Sequence, residues 1–202
     1  RTAQQAGVRA CLLVVPYYNK PPQEGLYQHF RSIAEAVSVP QILYNVPGRT
    51  GVDMANDTTL RLSEIDNIVG IKDATNDLDR GADLIRRCPD DFAVYSGEDG
   101  TACRLMLAGG KGTISVSANA APRLMHEMCT AAVAGDEETA LQLDGQLRNL
   151  HAAMFVQSNP IPAKWAVCQQ GLIGGGIRLP LVVLDDEYHV TVRAAMSTAG
   201  VL

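Results

Sequence analysis

Five short apolar runs, each followed by a polar loop and a helix-like stretch, constrain the fold of this chain more than any other feature. The runs cover residues 10–16, 41–45, 68–72, 92–96 and 112–116, and their first residues lie 20 to 31 positions apart. That spacing is typical of βαβ units and fits neither hairpins nor a solenoid. Apolar strands that alternate with helices predict an α/β fold with a parallel sheet covered by helices.

The stretches between the apolar runs have helical periodicity. Residues 24–37 place five apolar side chains on one face, and residues 56–65, 77–87 and 100–108 fill the next three positions. Asn56 supplies capping chemistry at the start of the second of these helices.

The pattern changes after residue 119. Residues 121–134, 136–156 and 162–171 are predicted helices with no strand between them, residues 179–184 are a predicted extended connection, and residues 186–199 are a predicted last helix. We therefore expect a barrel part over residues 1–120 and a helical extension over residues 121–202.

Five strands cannot close an eight-stranded (β/α)₈ barrel, which usually takes about 250 residues. The chain has 202 residues and starts inside a predicted helix end at residues 2–6. We expect the last five strands of a TIM barrel with a C-terminal helical extension, and a leading portion outside this sequence. A chain that starts at Arg1 should then be inactive and poorly folded, because exposed strand edges favour aggregation. The alternative is an open, doubly wound five-stranded sheet, although the glycine-rich first turn of nucleotide-binding versions is missing.

Composition excludes several classes of protein. A net charge of -5, from 17 Lys and Arg against 22 Asp and Glu, gives no reason to expect nucleic acid or a membrane surface as a partner. Five scattered cysteines without a C-x-x-C pair favour the reducing cytoplasm. The four histidines have no metal-ligand spacing, so we expect neither a metal nor another cofactor.

Lys72 ends the third apolar run. Strand alternation places Ile68, Gly70 and Lys72 on one face, which is the barrel interior if Val69 and Ile71 meet the helices. A lysine there is costly unless it is neutral or paired, and a neutral amine can attack a carbonyl to form an imine. Gly70 would leave room for a small substrate. The alternative is a lysine just past a strand end with its ammonium in solvent.

Two other side chains are expected at the same edge of the sheet. Tyr44 lies near the end of the preceding run, at a height similar to that of Lys72. Adjacent strands lie about 5 Å apart, so its phenol could reach a group bound on Lys72 and relay protons. Arg49 follows in the loop at residues 46–51, where a guanidinium can hold a carboxylate. The alternatives are a core aromatic for Tyr44 and a surface arginine for Arg49.

Further residues can line the rim of a pocket at this edge. Tyr17 and Tyr18 form an aromatic pair after the first run, although packing or an oligomer contact explains them equally. Gly97, just after the fourth run, and Ile114, on the last run, can offer backbone groups to a substrate.

The segments YNVPGRTG at residues 44–51 and GIKDAT at residues 70–75 closely resemble the dihydrodipicolinate synthase family of pyruvate-dependent, Schiff-base-forming lyases. The resemblance extends to residues 16–21, 112–116 and 159–164, and it covers essentially the whole chain.

The resemblance implies condensation of pyruvate with L-aspartate 4-semialdehyde, on the route to diaminopimelate and lysine. By analogy, Lys72 forms the Schiff base with pyruvate, Tyr44 donates and accepts protons, and Arg49 holds the carboxylate of the aldehyde substrate. Tyr18 matches a tyrosine that reaches the site of a neighbouring subunit, and Tyr17 matches an aromatic near a lysine-inhibition cleft. Family members are commonly homotetramers built from tight dimers, and the first three strands of the family barrel are absent here.

Two other functions stay open at this stage. A sister lyase or aldolase, such as N-acetylneuraminate lyase or a keto-deoxy-sugar acid aldolase, would share the lysine and the tyrosine but generally lack an arginine at position 49. A non-catalytic binding protein on the same scaffold would not need Lys72, Tyr44 and Arg49 together.

Overall fold

The first half of the chain folds as a five-stranded parallel sheet with its helices. A computed structural model describes all 202 residues. The strands and helices of this half follow one another as α1 (Thr2–Gln5), β1 (Cys11–Val14), α2 (Gln23–Ala36), β2 (Gln41–Asn45), α3 (Pro47–Thr50), α4 (Asn56–Ser63), β3 (Ile68–Asp73), α5 (Leu78–Arg87), β4 (Ala93–Ser96), α6 (Asp99–Leu107) and β5 (Gly112–Thr113). All five predicted strands are therefore confirmed.

The strand order distinguishes the two predicted architectures. The strands pair in chain order, β1-β2-β3-β4-β5, and every pair is parallel. Because βαβ crossovers are right-handed and every crossover steps in the same direction, all the helices fall on one face of the sheet. A doubly wound sheet reverses its strand order and carries helices on both faces. The doubly wound alternative is therefore wrong, and the strand order is that of part of a (β/α)₈ barrel.

One apolar core joins the sheet to its helices. Side chains from the strands, such as Leu43 and Ile71, pack with Leu26 and Phe30 of α2 and Leu84 of α5, and all five are fully buried. On β1, by contrast, the alternate residues Leu12 and Val14 remain exposed. The core thus fixes which face of each strand points towards the helices.

A β-bulge changes the predicted facing of β3. Gln41 pairs with Ile68 but Ile42 pairs with Gly70, so Val69 is an extra residue on β3. Ile68 consequently joins Ile71 in the core on the helix side, whereas simple alternation had placed it on the face of Lys72. From Gly70 onwards the predicted alternation holds.

Gly70 is a glycine for a different reason than the predicted one. A Cβ at this position would lie 2.5 Å from the backbone oxygen of Ala93 on β4. The close approach of the neighbouring strand therefore requires the glycine, and room for a substrate does not explain it.

The second half of the chain is helical. It contains a 3₁₀ turn (Ser117–Asn119), α7 (Pro122–Ala134), α8 (Glu137–Ala153), α9 (Ile161–Gln169), a second 3₁₀ turn (Asp186–Tyr188) and α10 (His189–Thr198). Its buried side chains include Met128, Leu147, Leu150 and Met196. The predicted helices are confirmed, and residues 179–184 contain neither helix nor strand. No helix of the chain is both long and apolar enough to cross a bilayer.

The chain divides into two compact units, residues 1–114 and 115–202.

Helix capping differs from the prediction in one place. Ala55 occupies the N-cap position of α4, and the Asn56 amide instead donates to the backbone oxygen of Arg80 and to Asp83. Asp136 does cap α8, because its carboxylate accepts from the backbone N–H of Thr139.

Candidate active site

Lys72 and Tyr44 face each other across the carboxyl ends of two neighbouring strands. The two residues are register partners between β2 and β3. The Lys72 Nζ lies 4.2 Å from the centroid of the Tyr44 ring, and both side chains are half-buried. The amine and the phenol predicted from the sequence are therefore brought together, and the amine does not project into bulk solvent.

The surroundings of Lys72 favour the neutral amine. Burial lowers the pKa of Lys72 from its ordinary value, and the positive charge of Arg49 lowers this pKa further. The negative charges of Asp99 and Glu98 act in the opposite direction without cancelling the effect of burial. A larger share of neutral amine, the form that attacks carbonyl carbon, is therefore present at a given pH than for a lysine in water.

The Tyr44 phenol is held in its protonated form. Burial raises the pKa of Tyr44, and the charge of Glu98 also raises this pKa, whereas Arg49 lowers it. A protonated phenol beside the amine can donate a proton to a developing alkoxide or to departing water.

Arg49 lies on the short helix α3, where the sequence predicted a loop. Thr50 fixes this helix, because its hydroxyl lies within hydrogen-bond distance of the backbone oxygens of Val46 and Val52, and Gly51 ends it in the left-handed conformation with φ 69°. Arg49 is exposed, yet its charge acts on both Tyr44 and Lys72. The guanidinium therefore lies at the open side of the pair, where it can meet a substrate carboxylate.

Gly97 packs directly against the lysine side chain. A Cβ at this position would lie 2.9 Å from Lys72 Cε and 2.8 Å from Ala74 Cβ. The Gly97 N–H donates to the backbone oxygen of Asp73 at 2.7 Å, so the carbonyl is the backbone group that remains for a substrate. The same holds for Ile114: its N–H donates to the backbone oxygen of Ser96 at 2.9 Å, so its carbonyl is the backbone group that remains.

Glu98 and Asp99 were not predicted as site residues. Glu98 is half-buried, and burial together with the neighbouring charge of Asp99 raises its pKa. Ser96 holds the turn, because its hydroxyl donates to the backbone oxygen of Glu98 and accepts from the Glu98 N–H. The available signal was position, since both acids lie within three residues of the end of β4, where barrel enzymes place functional groups.

Tyr17 and Tyr18 lie apart from the buried pair. Tyr17 is 67% exposed and Tyr18 is 91% exposed, and Tyr18 has a left-handed backbone with φ 68°. Within one chain these side chains extend into solvent, which suits a contact with another subunit. Their predicted roles stay predictions.

The chain resembles known proteins over almost its whole length. The profile of the Dihydrodipicolinate synthetase family matches residues 1–199. The chain is 63% identical over 199 residues to the 4-hydroxy-tetrahydrodipicolinate synthase of Nitrosospira multiformis, covering 98% of this chain and 66% of that protein. It is 62% identical to the enzyme of the same name from Nitrosomonas europaea, again over 199 residues, covering 98% of this chain and 68% of the relative.

Solved structures give the same match. The dihydrodipicolinate synthase of Acinetobacter baumannii, crystallised in complex with pyruvate, superposes with a TM-score of 0.97 at 57% identity, over 99% of this chain and 69% of the other. The enzyme of Thermotoga maritima gives a TM-score of 0.96 at 40% identity, over 100% of this chain and 70% of the other. The chain therefore spans about two thirds of the length of its relatives.

Proposed function

Because the chain belongs to the dihydrodipicolinate synthetase family, we propose that the protein is a lyase that condenses pyruvate with L-aspartate 4-semialdehyde to 4-hydroxy-tetrahydrodipicolinate. Relatives at 62 and 63% identity carry the name of that enzyme, and a structural neighbour at 57% identity binds pyruvate. The reaction belongs to the biosynthesis of diaminopimelate and lysine.

One observation carries the proposal: the half-buried Lys72 amine lies over the Tyr44 ring, 4.2 Å from its centroid, and burial lowers the pKa of the amine. An ordinary surface lysine, by contrast, would be fully exposed and charged. A desolvated amine beside a protonated phenol is the arrangement that imine formation needs.

The chemistry follows from these two groups. The neutral Lys72 amine attacks the keto carbon of pyruvate, and the resulting carbinolamine loses water to give an imine. Tyr44 supplies the proton that leaves with this water. The protonated imine withdraws electrons from the pyruvate methyl carbon, which gives a proton to the Tyr44 phenolate left by the first step. The resulting enamine carbon attacks the aldehyde carbon of the second substrate, and the aldehyde oxygen takes up the proton from Tyr44. Hydrolysis or ring closure then releases Lys72 for the next turnover.

Arg49 distinguishes this reaction from those of sister lyases. Its guanidinium lies beside the reacting pair and can hold the carboxylate of aspartate semialdehyde. The backbone carbonyl oxygens of Gly97 and Ile114 can accept hydrogen bonds from the hydroxyl and N–H groups of the carbinolamine that forms on Lys72.

The assembly and the location are part of the proposal. We propose a homotetramer made of two tight dimers in the cytoplasm, with Tyr18 of one subunit serving the site of the next and Tyr17 lying near a regulatory cleft. The strong exposure of both tyrosines supports a partner contact. A dihydrodipicolinate synthase described as a monomeric variant also exists. Light scattering of the protein purified from its natural source therefore tests the proposed assembly.

The function is tested by substrate choice. The protein purified from its natural source should condense pyruvate with aspartate semialdehyde and should not cleave N-acetylneuraminate. Arg49→Ala removes charge-assisted hydrogen bonds worth about 1.5–3 kcal/mol, so kcat/KM for the aldehyde should fall roughly 10- to 100-fold. Arg31→Ala is the matched control, because Arg31 lies on α2 and its ion pair with Glu35 is an exposed i,i+4 pair. An unchanged rate in Arg49→Ala would contradict the assignment of aspartate semialdehyde as the second substrate.

A further inference from the structure

We infer that Asn45 and Asp73, which lie on the helix-facing side of the sheet, are positioning residues for Tyr44 and Lys72. Each directly follows one of the reacting residues, at the last position of β2 or β3. Both are buried, and neither was predicted from the sequence. The inference rests on the proposed function, because it concerns the geometry of that same amine and phenol.

Asn45 uses all of its side-chain polar atoms to join three segments. Its amide donates to Asp53 Oδ1 at 2.9 Å and to Asp73 Oδ1 at 3.3 Å, and its oxygen accepts from the backbone N–H of Met54 at 3.1 Å. Asn45 is fully buried, so no water competes for these bonds. The end of β2 is thus fixed to β3 and to the segment that follows α3.

Asp73 has the same function on β3. Its second carboxylate oxygen accepts from the Thr75 hydroxyl at 2.5 Å, and Arg80 Nε lies 4.0 Å from the first. A buried carboxylate is tolerated only with such partners. Its surroundings therefore hold the backbone next to Lys72 in one position.

Arg80 closes the network from α5. Its guanidinium donates to Asp53 Oδ2 at 2.8 Å and to the backbone oxygen of Met54. Arg80 is largely buried, whereas the Asp53 side chain is about half exposed. Helix α5 is thus bound to residues 53 and 54, which follow α3, and α3 carries Arg49.

Backbone bonds transmit this anchoring to the reacting pair. The Asn45 carbonyl accepts from the Ala74 N–H at 2.9 Å, and the Asp73 carbonyl accepts from the Gly97 N–H at 2.7 Å. The ends of β2, β3 and β4 are therefore locked together at the level of the side-chain network. Successive residues of a strand point to opposite faces, so fixing residues 45 and 73 on the helix side fixes residues 44 and 72 on the other.

The test compares two asparagines. Asn45→Ala removes an amide that joins the strand ends beside the reacting pair. Asn67→Ala removes an amide that makes two bonds, to the backbone oxygens of Ala34 and Val37, just before β3 begins, at the opposite edge of the sheet. Both substitutions would be made in the full-length natural protein. Circular dichroism would confirm folding, and kcat and KM would be measured with pyruvate and aspartate semialdehyde.

Misplacing reacting groups by about 1 Å can cost about 10²-fold in rate. We expect Asn45→Ala to lower kcat about 10- to 100-fold, with KM for pyruvate changed less than about threefold, and Asn67→Ala to keep kcat within about twofold. The split between kcat and KM separates positioning from a general loss of stability. Equal kcat values in the two folded variants would overturn the inference.

A second variant covers the case in which Asn45→Ala does not fold. Asp53→Asn keeps the shape of a half-exposed side chain but places a donor against the Asn45 amide or the Arg80 guanidinium. It should lower kcat in the same direction, and a wild-type kcat would overturn the inference. If the wild-type protein itself forms no imine with pyruvate, the proposed function fails first, and the positioning role fails with it.

Discussion

Gly97→Ala tests the placement of the reacting amine most sharply, because the added methyl group enters the space of the lysine side chain. Its carbon would lie 2.9 Å from Lys72 Cε and 2.8 Å from Ala74 Cβ. Carbon atoms prefer separations of about 3.5–4.0 Å, so Lys72 must withdraw by roughly 0.6–1.1 Å or the strand ends must part. A displacement of about 1 Å costs about 10²-fold in rate, which is about 2.7 kcal/mol in the barrier.

The assay follows imine formation with pyruvate, trapped by borohydride and measured by intact mass against time. Gly100→Ala is the matched control, because a Cβ at Gly100 would meet no atom within 4 Å. We expect Gly97→Ala to form the imine about 10²-fold more slowly, with stability reduced by about 1–3 kcal/mol, and Gly100→Ala to behave like the wild type. A folded Gly97→Ala protein that forms the imine at the wild-type rate would refute this reading of the site.

Tyr44→Phe should lower kcat by about 10²–10⁴-fold while the protein still folds, and a full rate in steady-state assays would remove the proton relay. The rate of imine formation should rise with pH up to the lowered pKa of Lys72. Glu98→Gln removes a charge that raises this pKa, so the rise should shift to lower pH, and Arg49→Ala should shift it to higher pH. Shifts in the opposite directions would contradict these charge effects. In the helical unit, Leu147→Ala should cost about 2–5 kcal/mol in urea unfolding because the side chain is fully buried, against much less for the exposed Leu141→Ala on the same helix, and equal costs would contradict the packing of α8.

The fold was largely predictable because apolar runs and helical periodicity depend on local sequence. All five strands, and the longer helices between and after them, follow from the spacing of apolar residues. The facing of β3 did not follow completely, since the bulge at Val69 depends on the pairing of two strands and leaves no trace in the residues of one. The short helix α3 was missed for a similar reason, because four residues have too little periodicity to predict a helix.

The candidate site was predictable where chemistry and position coincide. Lys72 and Tyr44 lie at or near the ends of neighbouring apolar runs, and their register pairing brings them together as expected. The supporting residues were missed, because Asn45 and Asp73 look like ordinary strand-end polar residues until their partners from α5 and from the chain after α3 are known. Gly70 misled the prediction, since only the neighbouring strand reveals that a side chain would collide with the Ala93 carbonyl.

Peptide mass spectrometry of the borohydride-reduced pyruvate adduct on the wild-type protein shows whether the Lys72 amine captures a 2-keto acid. We expect a single modified peptide, with reduced pyruvate on Lys72 and on neither Lys111 nor Lys164. Modification spread over exposed lysines, or no adduct at all, would contradict it.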